Sequence, residues 1–150
     1  MSELPWVGGC RCGQVRFRVT AGPLVTMACH CTGCQRMTAS AFSLSALFAA
    51  EAFEVTAGEP VIGGLHGEDV RHFFCPHCMS WMFTRPSAIP QFVNVRSTLF
   101  DDGVDGLEPY AETFTSEKLA WVTTPAVESY PAFPPAEAWG GLMAGYAGRG

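Results

Sequence analysis

The chain contains a single lysine, Lys118, and its nine basic residues stand against fourteen acidic ones, for a formal net charge of −5 at pH 7. Neutralising nucleic-acid phosphates takes a basic face. No basic run supplies one, so no nucleic-acid partner is expected. Long apolar runs are missing too. The longest uncharged, apolar-leaning stretch, Met37 to Ala50, lies between Arg36 and Glu51 and is too short to cross a bilayer. The opening Met1-Ser2-Glu3-Leu4-Pro5 has neither the basic n-region nor the apolar h-region of a secretory leader. The expectation is a cytoplasmic protein in a reducing compartment, with no membrane partner. Linkers and internal repeats are also lacking. With 150 residues, 48% of them hydrophobic and only 15% charged, the chain reads as one globular domain with a sizeable core.

Cysteine is what the chain does have. All seven fall into three short clusters: Cys10-Arg11-Cys12, then Cys29-His30-Cys31-Thr32-Gly33-Cys34, then Cys75-Pro76-His77-Cys78. Thiolates spaced C-x-C and C-x-x-C can reach one cation at about 2.3 Å from a single tight turn. Isolated buried cysteines would not sit this close together, and disulfides do not suit a reducing compartment. A redox C-x-x-C at Cys75 and Cys78 lacks its flanking βαβ pattern. An iron–sulfur cluster would use the same thiolates, but ferredoxin spacings are absent. Zinc is the favoured occupant. An odd total matters here, because two closed tetrahedral sites of cysteine would need eight. Seven divides most simply into a closed site of four and a site of three with one position open, the arrangement of a catalytic or ligand-binding zinc.

The rest of the chain reads as short strands. Gln14 to Val19 alternates apolar and polar residues, with both arginines on one side. Further strands are expected at Leu24 to Ala28, Ala41 to Leu47, Phe53 to Thr56, Val70 to Phe74 and Phe92 to Val95. Thr32 to Met37 can make a helical turn around the second cluster. Sixteen glycines and eleven prolines punctuate these runs, as mainly β folds require. Pro125 to Pro135 reads as an extended surface arm. The expected organisation is one zinc-binding domain over residues 1–135 and a Gly/Ala-rich tail over 136–150, with a short docked helix and then disorder.

Three stretches carry a resemblance. Gly9-Cys10-Arg11-Cys12-Gly13-Gln14-Val15-Arg16-Phe17, Cys29-His30-Cys31-Thr32-Gly33-Cys34-Gln35-Arg36 and Phe74-Cys75-Pro76-His77-Cys78 resemble the glutathione-dependent formaldehyde-activating family, which shares a domain with centromere protein V. Glu112 to Trp121 is similar to that family's C-terminal segment. The resemblance implies a mainly β, Mss4-like domain of short antiparallel strands holding two Zn²⁺ ions. It assigns Cys10, Cys12, Cys75 and Cys78 to a structural zinc, and Cys29, Cys31 and Cys34 to a catalytic zinc. One departure is plain: the family usually has glycine directly after the last cysteine, where this chain has Met79. Glycine there allows positive φ, so the turn must differ or carry strain.

The chemistry of the trio narrows the activity. Three thiolates over-neutralise Zn²⁺ and make a poor Lewis acid for generating hydroxide, but they suit holding an added thiol as thiolate. The resemblance then implies a carbon–sulfur lyase, in which a glutathione-like thiol adds to formaldehyde or another small aldehyde to give S-(hydroxymethyl)glutathione or its analogue. The alternative is a zinc-stabilised interaction module without catalysis; a third class is a thiol-based redox protein. A histidine closing the trio, whether His30, His66, His72 or His77, would favour the interaction module. Arg36 and Arg71, beside the second and third clusters, are candidates to pair with glutathione carboxylates. Phe42, Phe73, Phe74, Trp81 and Phe83 are expected in core or pocket wall.

Overall fold

The computed structural model describes residues 3–103 and 105–149. Its strands are β1 (Trp6–Gly9), β2 (Arg16–Val19), β3 (Val25–Cys29), β4 (Ser43–Ala49), β5 (Phe53–Ala57), β6 (Val61–Gly63), β7 (Val70–Phe74), β8 (Trp81–Pro86), β9 (Phe92–Arg96), β10 (Ala111–Thr113) and β11 (Glu128–Ser129). Two α-helices accompany them: α1 (Thr32–Thr38) between β3 and β4, and α2 (Trp139–Gly148) after the last strand. A small sheet runs β1-β2-β5, and a large one runs β11-β10-β3-β4-β9-β8-β7-β6. The mainly β expectation holds, with one refinement. Pairing is antiparallel except where β10 lies parallel to β3 and β11 parallel to β10, so the large sheet is mixed.

Strand alternation explains how the layers form. On one face of the large sheet Ala46, Phe48, Val93, Val95 and Phe83 share a buried core with Val15, Phe17, Val19 and Phe53 of the smaller sheet and its approaches. Register agrees: Ala46 sits opposite Val95 and Phe48 opposite Val93, which puts all four on one side. The Phe53 and Phe83 rings join the two sheets, with centroids 4.9 Å apart; Phe53 also packs on Phe17 of its own sheet at 5.5 Å, and Phe83 stacks on Phe73 of its own at 4.8 Å.

The opposite face is divided. At one end Val25, Met27, Leu47 and Ala111 pack against Leu142 and Tyr146 of α2. That contact carries the tail helix through Gly148, further than the short docked helix expected. At the other end the same face turns polar. Cys29 pairs with Ser43, Ser45 with Arg96, and Thr84 with both Asn94 and His72. All of these side chains therefore share a side, and α1 lies beside it.

Where the sequence-based strands differ from the fold, local pairing explains it. β2 starts at Arg16 because the preceding residues close a turn in which the Cys10 amide donates to Val15 O at 3.1 Å. β8 carries no alternating signal because Met82, Phe83 and Thr84 are all buried. The arm from Pro125 is extended as expected, and part of it pairs as β11 on the edge of the sheet.

Candidate metal centres and an adjoining cavity

The first and third cysteine clusters meet at one end of the molecule. Cys10 and Cys12 follow β1, and Cys75 and Cys78 follow β7; the four sulfurs lie within 4.8 Å of one another. Cys10 Sγ is 3.5 Å from Cys12 Sγ, and Cys12 Sγ is 3.7 Å from Cys75 Sγ. A disulfide is about 2.05 Å, whereas a tetrahedron of sulfurs at about 2.3 Å from a central zinc has edges of about 3.8 Å. The spacing is that of ligands, not of a bond.

Backbone amides turn toward these sulfurs. Val15 N donates to Cys10 Sγ at 3.3 Å, and His77 N and Cys78 N both donate to Cys75 Sγ at 3.4 Å. Such bonds stabilise thiolate charge. Cys78 is held below the ordinary thiol range, first by the Ser80 hydroxyl at 3.2 Å. Arg11 N donates to Ser80 Oγ at 3.1 Å, tying the two turns together. Met79 takes φ of 60°, so the turn keeps the left-handed conformation of its usual glycine and carries the strain.

The second cluster lies on the polar face of the large sheet. Cys29 ends β3, Cys31 caps α1, and Cys34 sits in the first turn of that helix. Cys31 Sγ accepts from Cys34 N at 3.2 Å, which fixes the turn that gathers the three sulfurs within 4.8 Å. No fourth histidine, cysteine or carboxylate joins them among the described residues. Three charges cannot share this space unaided. Cys29 is held well below the ordinary thiol range because the Cys34 thiol donates to it, outweighing its burial. Cys34 is driven up by that same bond and by burial. A cation binding here replaces the bridging proton, and soft sulfur donors match zinc.

The four histidines go elsewhere. His30 is fully buried, with Nε2 2.8 Å from Glu112 Oε1. His66 Nδ1 is 2.8 Å from Gly64 O, and His72 Nδ1 is 2.8 Å from Thr84 Oγ1. His77 is exposed and outside both sulfur groups.

The stretch 112–117, the end of β10 and the turn after it, lies in the segment similar to the family's C-terminal stretch and clamps the trio. Gln35 Nε2 donates to His30 O at 2.8 Å and Glu117 O at 3.0 Å, and Thr32 N donates to Glu117 Oε1 at 3.0 Å. Thr124 and Ser129 hydroxyls donate to Glu112 at 3.0 and 2.7 Å. Burial alone would raise the Glu112 pKa; the bonds from Ser129, His30 and Thr124 more than reverse that and hold the carboxylate ionised.

Beside α1 lies a cavity of about 510 Å³ whose walls include Met37, Phe42, Ser80, Trp81 and Arg96. Of the aromatic candidates, Phe42 and Trp81 line it, while Phe73, Phe74 and Phe83 pack in or against the core. Neither candidate arginine reaches it. Arg36 is exposed on α1, and Arg71 pairs with Arg85 on the sheet face opposite His72 and Thr84. Arg96 is the arginine on the cavity wall. Sequence reading missed it because it lies in no cysteine cluster; the only available signal was a charged residue ending an otherwise buried strand.

Fold and site together define a class: a mainly β protein with two clusters of cysteine sulfurs placed to hold metal. Residues 5–117 match the family described as glutathione-dependent formaldehyde-activating enzyme, and the chain belongs to that family. No curated protein matches it. A solved structure of a Rhodobacter sphaeroides protein is similar in fold, with a TM-score of 0.54 and 20% identity over 63% of this chain and 87% of that one.

Proposed function

We propose that the protein is a zinc-dependent carbon–sulfur lyase of the thiol-adduct type, built on an Mss4-like domain with two zinc ions. Cys10, Cys12, Cys75 and Cys78 hold the structural ion. Cys29, Cys31 and Cys34 hold the catalytic one. The observation that carries this reading is the incomplete trio: three sulfurs gathered by one helical turn, with no histidine, fourth cysteine or carboxylate to close a tetrahedron among the described residues. An ion held there supplies the charge that deprotonates an incoming thiol and keeps it as the nucleophilic thiolate. The family supports glutathione as the thiol and formaldehyde as the aldehyde.

The protein's own groups act around that chemistry. The His30–Glu112 couple and the Gln35 and Thr32 bonds brace the turn, which would keep the three sulfurs in one arrangement around an ion held there. The thiolate sulfur attacks the aldehyde carbon, a carbon–sulfur bond forms, and the carbonyl π pair moves to oxygen, which takes a proton from solvent. The product is an S-hydroxyalkyl adduct. Its reverse is carbon–sulfur cleavage.

The test is a titration of Co²⁺-substituted protein with glutathione while the cobalt–thiolate bands are followed. A saturable change that disappears in Cys34→Ser supports an open trio. An unchanged spectrum with both ions bound sinks the reading and favours an interaction module.

A further inference from the structure

Arg96 is 7% exposed, yet no carboxylate neutralises it. The ion pairs among the described residues are Arg16–Asp101, Arg18–Glu54 and His30–Glu112. Its Nε is buried without a partner, and one terminal nitrogen makes a long bond of 3.4 Å to Thr84 Oγ1. The guanidinium carbon lies 4.0 Å from the centroid of Trp81, whose own Nε1 is a second buried donor without an acceptor. Buried charges and donors are ordinarily paired. Here Arg96 and Trp81 each carry such a buried, unpaired donor, and both residues line the same cavity.

Register ties this spot to the cysteine trio. Cys29 faces Ser43 across β3 and β4, and Ser45, two residues on, faces Arg96 across β4 and β9. Cys29 and Arg96 therefore share a sheet face, with backbones about 12 Å apart by the spacing of strands and residues. Burial lowers the Arg96 guanidinium pKa to about 10.

We propose that Arg96, with Trp81 against its face, is an anion subsite that takes a carboxylate of the thiol substrate. The protein then selects thiols that carry a carboxylate over neutral ones of the same shape. This rests on the thiol-accepting reading of the trio. An arginine fork matches a carboxylate with two parallel bonds, and stacking on an indole holds the fork flat. The net charge of −5 repels anions in general, so a preference for a charged thiol has to come from a local site. Arg96 is a positioning group for the substrate's far end and takes no part in bond making.

The probes are 3-mercaptopropionate, 6-mercaptohexanoate and glutathione, each compared with its neutral amide or, for glutathione, its ester. Binding is read from the cobalt bands of the Co²⁺-loaded protein and by calorimetry on the zinc form, in wild type, Arg96→Met and Arg96→Lys. At least one charged thiol is expected to bind about ten- to a hundredfold tighter than its neutral partner, the worth of a charge-assisted bond. Arg96→Met should abolish that ratio, the charged thiol losing far more affinity than the neutral one. Arg96→Lys, which keeps charge without the fork, should retain part of it. Replacing an unpaired buried cation by an apolar side chain of similar length does not threaten the fold. If Arg96→Met nevertheless fails to fold, a lysine variant with the full wild-type ratio overturns the proposal. Equal binding of charged and neutral thiols, or a ratio that survives in Arg96→Met, also overturns it and leaves the open trio standing. Failure of every thiol to bind removes the open trio itself, and the proposal with it.

Discussion

His30 Nε2 lies 2.8 Å from Glu112 Oε1, so the residue between two candidate metal ligands is anchored to a strand from the other end of the chain. The couple is buried, and Thr124 and Ser129 complete the carboxylate's bonding. Glu112→Ala would leave His30 and both hydroxyls without their acceptor. The expected cost is about 2–4 kcal/mol in urea unfolding, with metal affinity at the trio lowered about 10- to 100-fold in chelator competition. The folded Glu112 pKa is depressed, so its contribution is complete above the ordinary glutamate range. It is lost as pH falls through the folded value, and the variant should show a shallower acid limb than wild type.

The two sulfur groups should fail differently. Cys10 and Cys75 are buried, at 7% and 0% exposure, and the group joins turns far apart in sequence, so metal held there contributes directly to folding. Cys75→Ser is expected to give an unfolded or molten protein with one ion or none. Cys34→Ser should keep the far-ultraviolet spectrum of wild type and lose one metal equivalent. Circular dichroism with metal analysis separates the two outcomes. A well-folded Cys75→Ser protein would remove the structural role.

Much of this fold was legible because cysteine spacing and strand alternation are local signals. Val70–Phe74 was read to the residue, and the turn at Thr32 to Met37 became α1 with one further residue. β8 was missed because burial of Met82, Phe83 and Thr84 erases the period of two. β10 was missed because three residues, Ala111–Thr113, carry too little pattern, and their place is set by parallel pairing with β3. The metal candidates were legible for the same local reason. Glu112 and Arg96 were not, since each matters through a partner supplied by the fold: His30, 82 positions away, and the cavity beside α1.

His72 supplies a test of the polar sheet face. It is buried against Thr84, its ring stacks on His66 at 4.9 Å, and Arg96 lies nearby. Burial, then the charges of His66 and Arg96, push its pKa from 6.5 down to about 4. The folded state therefore favours neutral His72, while the unfolded chain protonates near pH 6.5. Stability from this group is complete above that value and drains away as pH falls toward about 4. At about pH 5 the loss should be about 1–2 kcal/mol. His72→Gln keeps a partner for Thr84 and cannot titrate, so its stability should fall less between neutral pH and about pH 5. Parallel urea titrations of the two proteins decide; identical slopes would show that His72 is free to protonate in place.

Met79 is where the chain departs from the family's glycine and accepts the consequence. Its φ is 60°, and its amide donates to Cys75 O at 2.9 Å, so the turn that presents Cys75 and Cys78 is closed in the conformation that glycine adopts freely. A side chain in that region costs about 1–2 kcal/mol. Met79 is 57% exposed, so little packing offsets the strain. Met79→Gly should relieve it, less the greater chain entropy of glycine in the unfolded state, for a net gain of about 0.5–1 kcal/mol. The gain should appear as a Tm a few degrees higher in the metal-loaded protein, with the sulfur geometry unchanged in the cobalt spectrum. A lower Tm would mean that the methionine side chain makes contacts worth more than the strain it imposes. Met79→Ala separates these possibilities, because alanine keeps the strain and removes the contacts. If strain dominates, it should match wild type and fall below the glycine variant.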